Sequence, residues 1–119
     1  MATAVKRKLS NSTDGKPIKV VQTATAGTAI HTAVAGATAG TFDEIWLWAC
    51  NNHTANVALT VEFGGPDAPD QNIIVTIPFK SGLVPIIPGL ILQNGATVKA
   101  FAAVANVITL TGFVNSITD

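Results

Sequence analysis

Cys50, the only cysteine of this 119-residue chain, lies three residues before His53, one of its two histidines. A thiol beside an imidazole can act as a nucleophile, because the ring takes the proton and leaves a thiolate. Here the pair sits where an apolar run gives way to a polar turn, and no acid stands nearby to orient the ring. The expectation is a small buried thiol and a solvated imidazole. Ser81 stands in Lys80-Ser81-Gly82 and lacks the strained G-x-S-x-G turn of a hydrolase nucleophile. His31, His53 and Cys50 fall short of a structural zinc set within one chain, although a symmetric oligomer could gather copies of one histidine on its axis. Asp67, Asp70, Gln71 and Asn72 offer oxygen ligands for Ca²⁺ but lack the spacing of an EF-hand loop, and they read as a solvated acidic turn. Asp43 and Glu44 are adjacent, so on a strand they point to opposite faces and cannot share a proton-transfer task. No catalytic residue, metal or cofactor follows from these groups. The chain reads as a structural or binding module, not an enzyme.

The remaining candidates are surfaces. Lys6, Arg7, Lys8, Lys16 and Lys19 stand against Asp14 in the first nineteen residues, a net charge of +4. Residues 20–119 carry −4, so a basic arm of residues 1–17 precedes a mildly acidic body. Such an arm can be drawn to an acidic protein surface. It is not a nucleic-acid footprint, which needs a basic face on the fold itself. Trp46 and Trp48 share one face of a strand and are either interface filler or an aromatic platform for sugars.

The elements that position these groups are strands. No charged residue occurs from Val20 to Phe42, and only Lys99 from Ser81 to Thr118. Ala, Val, Ile and Thr dominate, which suits a pleated sheet. Strands are expected over residues 18–25, 28–35, 41–50, 56–63, 71–79, 83–87, 90–93, 97–104 and 107–117, parted by turns rich in Gly, Pro and Asn. In the run 41–50, Phe42, Trp46, Trp48 and Cys50 alternate with Ile45, Leu47 and Ala49, so both faces are apolar. In the run 56–63, Val57, Leu59, Val61 and Phe63 point inward, with Ala58, Thr60 and Glu62 outward, and these two strands are expected to form a hairpin. About eight short strands in one domain predict an antiparallel β-sandwich of jelly-roll type over residues 18–119. A signal peptide is not expected, because no apolar stretch follows Lys6-Arg7-Lys8. Nor is a membrane span, because Pro85, Pro88, Gly89 and Gly95 break the longest apolar run. So little charge on a small domain implies that part of its surface is covered by something else.

The cadence of the body is specific enough to compare. Residues 41–49 (TFDEIWLWA) and 58–65 (ALTVEFGG) are followed by Pro88-Gly89-Leu90 and by 98–103 (VKAFAA), and the chain closes with 105–108 (ANVI) and 111–115 (TGFVN). This pattern resembles small virion proteins of tailed bacteriophages, of the capsid decoration or cement type. The resemblance implies a β-sandwich that assembles as a dimer or trimer on the outer capsid surface, after synthesis in the bacterial host cytoplasm. There it would bridge major capsid protein subunits and use its terminal arm to reach across the shell. On the residues alone no nucleic-acid or membrane partner is expected, and a tail or fibre module is the alternative virion location.

Overall fold

The computed structural model describes residues 2–119, and among them every regular element is a β-strand. The strands are β1 (Thr3–Lys8), β2 (Ile18–Lys19), β3 (Thr28–Thr32), β4 (Phe42–Asn51), β5 (Val57–Phe63), β6 (Asn72–Ile77), β7 (Val84–Leu92), β8 (Thr97–Ala102) and β9 (Ile108–Thr118). One antiparallel sheet runs β1-β9-β4-β7, with β2 also on β9, and the other runs β3-β8-β5-β6. From β3 onward the chain crosses between the sheets at every step but one, β5 to β6, which are neighbours in one sheet, and the two strand orders are those of a jelly-roll β-sandwich.

The core is made by strict alternation. Along β4 the inward residues Ile45, Leu47 and Ala49 are fully buried, and from β9 Ile108, Leu110 and Val114 join them. The facing sheet contributes Leu59, Val61, Val98, Ala100 and Ala102. Two aligned sheets bury such rows against each other while their outer faces stay partly wet.

Four expectations are corrected. Runs 41–50 and 56–63 do not form a hairpin: β4 pairs with β7 and β9, and β5 lies in the opposite sheet beside β6 and β8. The polar turn between them, at Asn51–Asn56 in sequence, is a crossover, which alternation alone cannot distinguish from a hairpin turn. Runs 83–87 and 90–93 are one strand. Pro85 and Pro88 are tolerated because β7 is an edge strand, and Gly89 (φ 83°) sits within a break in its register with β4. Phe79 lies beyond the end of β6 and is exposed. Glu62 points to the outer side of its sheet yet is buried, because the loop before β3 folds over it. There the Thr25 hydroxyl donates to Oε2 and the Gly27 N–H donates to Oε1 at 2.7 Å.

The basic segment is also more ordered than the sequence suggests. Thr3–Lys8 pairs with Thr118–Phe113 of β9 and forms part of the sheet. None of its six residues is buried, which is why the alternation test did not reveal it. Leu9, directly after it, is 1% exposed and belongs to the core. Ser12 is buried as well, with its hydroxyl donating to the Lys16 carbonyl. Residues 2–17 therefore include a strand, a core plug and a turn, and do not form a free arm. Truncating the plug removes three heavy atoms from a fully buried position. Leu9→Ala is expected to destabilise the fold by about 2–5 kcal/mol in urea denaturation, whereas a free arm would show no change.

Candidate functional site

Two groups of side chains stand out. The first lies on the outer face of the β1-β9-β4-β7 sheet. The β4–β9 register sets Trp46 opposite Phe113, Trp48 opposite Thr111 and Glu44 opposite Asn115. All three aromatic rings are half-buried and near parallel, with centroids 6.4 Å (Trp46–Trp48), 6.2 Å (Trp46–Phe113) and 6.1 Å (Trp48–Phe113) apart. The Lys6 ammonium lies 4.2 Å from the Phe113 ring centroid, a cation–π contact across the β1–β9 pair. Trp46 Nε1–H donates to Glu44 Oε1 at 2.8 Å, and Asn115 Nδ2–H donates to the same oxygen at 3.0 Å. The Asn115 amide first, and the Trp46 indole second, hold the Glu44 carboxyl below its ordinary value of 4.5 against a smaller opposing effect of burial.

The second group lies at one end of the sandwich, between the sheets. Arg7 and Lys8 from β1, Ser10 after it, His31 from β3, Asp43 from β4 and Ser116 from β9 line an open cavity of about 620 Å³. His31 and Asp43 are 5% and 3% exposed. His31 Nε2 is 2.7 Å from Asp43 Oδ2, which also accepts the Val34 backbone N–H at 3.2 Å. On the other side of the ring, Nδ1 accepts the Ser10 backbone N–H at 2.9 Å and lies 3.0 Å from Ser10 Oγ. A carboxylate only accepts, so Nε2 carries the ring hydrogen and Nδ1 the lone pair. Ser10 Oγ itself accepts the Thr32 N–H at 2.7 Å. Asp43 Oδ1 is buried with no hydrogen-bond partner among the described residues.

The residues singled out from sequence are dispersed by the fold. Trp46 and Trp48 do share one face, joined there by Phe113, which only the β4–β9 register could supply. The basic residues divide: Lys6 covers Phe113, Arg7 lines the cavity, and Lys8 Nζ donates to the Ser12 carbonyl at 3.0 Å. Lys16 and Lys19 are exposed, in a turn and in β2. No hydrogen bond joins Cys50 and His53 among the described residues. Cys50 Sγ is 3.9 Å from Asn52 Oδ1, and the His53 backbone N–H donates to Asn51 Oδ1. In the Asp67–Gln71 turn, Gln71 Oε1 accepts the Asp67 N–H at 3.0 Å, so one of the candidate Ca²⁺ oxygens braces the loop. No cluster of three or more His, Cys, Asp or Glu side chains gathers among the described residues. His31, buried with both ring nitrogens engaged, is unavailable to a symmetry axis on the surface. The Ser10–His31–Asp43 row carried no signal in sequence, because its members are 21 and 12 residues apart and only the sandwich brings them together. Scans against protein-family models, curated proteins and solved structures return no match for this chain.

A carboxyl held below its unfolded value contributes stability that is present above pH 4.5 and is lost as the pH falls through the lower folded value. Asn115→Ala is expected to move the Glu44 titration upward, toward 4.5, in a carboxyl-detected NMR titration. An unmoved titration would show that the amide does not hold the charge.

Proposed function

We propose that this protein is a virion structural protein of a bacteriophage that decorates the head and cements neighbouring major capsid subunits, assembling with copies of itself. One observation carries the self-association: the fold guards three of its four sheet edges and leaves the fourth open. The β1/β2 edge carries Lys6, Arg7, Lys8 and Lys19. The β7 edge carries Pro85 and Pro88 and is broken by two register shifts. The β3 edge is bulged, and its Ile30 carbonyl accepts the Asn11 N–H. Natural sheets use these devices against unwanted pairing. β6 has none of them. It reads NIIVTI, without charge or proline, and Ile74 is 68% exposed.

Other large apolar side chains are exposed as well. Phe79, Leu83, Leu90 and Ile91, each more than 40% exposed, come from β7 and the loop that joins it to β6. Lys80 is the single charge from Gln71 to Gln93. A standard specific contact covers about 800 Å² per partner, a modest share of the 6145 Å² that one copy exposes. The basic edge would meet an acidic capsid surface, and many weak contacts repeated over a lattice reinforce it by multivalency. Jelly rolls also host lectins and other functions, so the fold alone does not decide. A sugar platform on Trp46, Trp48 and Phe113 is the rival reading. It is disfavoured because the polar groups beside the rings, Glu44, Asn115 and the Trp46 N–H, are already bonded to one another.

Ile74→Lys places a charge on the open edge without touching the core. The wild-type chain is expected to sediment as an oligomer and the variant as a monomer with unchanged circular dichroism, and cryo-electron microscopy of the virion is expected to show the chain on the head surface. A monomeric wild-type chain, or quenching of Trp fluorescence by glycans that Trp48→Ala abolishes, would overturn the reading.

A further inference from the structure

Hydrogen bonding inside the sheet fixes which backbone groups β6 presents at its open edge. The Phe63 N–H donates to the Gln71 carbonyl at 2.7 Å. Gln71, and by alternation Ile73, Val75 and Ile77, therefore turn their backbone groups toward β5. The Ala103 N–H donates to the Ala58 carbonyl at 3.0 Å, so the alternate residues of β5 serve β8, in agreement. Asn72, Ile74 and Thr76 are left facing outward. The Asn72 N–H is already used by the Pro69 carbonyl at 3.2 Å, and Pro78, the next outward residue, has no N–H. Ile74 and Thr76 each keep an N–H and a C=O unpaired among the described residues.

We propose that these groups pair with the same groups of a second copy, antiparallel about a two-fold axis at Val75, giving a dimer with one continuous eight-stranded sheet. The inference rests on the reading of β6 as the self-association edge and adds its partner strand, symmetry and register. Ile74 opposite Thr76 of the second copy, and Thr76 opposite its Ile74, close four hydrogen bonds and leave no open group on either residue. The next pair outward would be Asn72 with Pro78, and neither has an N–H to give, so the paired patch ends where the donors end. A register centred on Ile74 would leave the Thr76 carbonyl facing the engaged Asn72 N–H. One centred on Thr76 would leave the Ile74 carbonyl facing Pro78. The side chains agree. Ile73 and Val75 are only half-buried in one chain but pack on its core. About the axis Val75 meets Val75 and Ile73 meets Ile77, which extends the inward row from one sandwich into the next. On the other face Ile74, 68% exposed, meets Thr76. No residue of β6 is charged, so no like charges meet. A two-fold contact uses one patch twice and closes. It also sets the two basic edges apart: β1 shares its cavity with β3, across the sandwich from β6. Each end of the dimer thus carries Arg7 and Lys8, as a bridge between two acidic surfaces requires.

The test is cysteine cross-linking of the full-length chain in a Cys50→Ser background, which removes the native thiol. Residues directly opposite lie about 4.5–5.5 Å apart between Cα atoms, within disulfide reach, whereas diagonal neighbours lie about 7–8 Å apart and beyond it. Val75→Cys is expected to form a covalent dimer on mild oxidation, read on a non-reducing gel. Ile74→Cys and Thr76→Cys are each expected to stay uncross-linked alone and to form a covalent heterodimer when mixed, identified by mass spectrometry. Sedimentation of the Cys50→Ser parent separates the two ideas. An oligomeric parent whose Val75→Cys form does not cross-link, or whose Ile74→Cys form links to itself, overturns the two-fold register and leaves self-association standing. A monomeric parent overturns both. Where Val75→Cys fails to fold by circular dichroism, the exposed pair at positions 74 and 76 decides.

Discussion

The pairing of β4 with β9 is the contact on which the rest of the molecule depends. It runs unbroken from Phe42 opposite Ile117 to Asn51 opposite Ile108. Because side chains alternate with a period of two, this single register decides both faces of the sheet at once. In the observed register Ile45, Leu47 and Ala49 enter the core and Trp46 and Trp48 remain outside. A slip of one residue would drive both indoles into the space between the sheets. Gly112 helps to hold the register. A Cβ there would overlap the Trp46 carbonyl, so the two backbones approach as closely as they do only because that position is glycine.

The same strand also recruits the start of the chain. β9 takes β4 along one edge and β1 and β2 along the other, so the two ends of the sequence are joined through one ladder. Leu9 then turns inward as a plug, and Ser10 reaches His31 across to the other sheet. The interior at this end is polar, because β4 begins with an inward Asp43 and β9 ends with an inward Ser116. A buried carboxylate needs donors, and the His31 ring and the Val34 N–H provide them to Oδ2 alone. Both the aromatic outer cluster and the polar inner cluster are thus consequences of one register, seen from its two sides.

The outer face explains why a chain with so few charges has a patterned surface. Lys6, Phe113, Trp46 and Glu44 contact one another in a row across three strands. In the facing sheet the β6 edge has no such polar rim and leaves Ile74 bare. That asymmetry, not the mean composition, separates the covered side of the proposed assembly from the side that faces solvent.

Much of the architecture was legible from local pattern. Period-two runs at residues 41–50, 56–63 and 97–104 announced strands and their inward residues, because each such run carries its own burial signature. β1 escaped notice because no residue in it is buried, and the burial of the outward Glu62 was not legible because a loop distant in sequence covers it. Trp46 and Trp48 were readable as partners since they lie on one strand, but Phe113 and the Ser10–His31–Asp43 row were not, because their members meet only across strands. The sequence by itself determined the fold class, the inward side of most strands and the scarcity of surface charge, all of which follow from residue type and short-range alternation. Only the tertiary structure decided which strands are neighbours, and hence which side chains share a site, since hydrogen-bonded pairing brings together residues whose separation along the chain leaves no periodic trace.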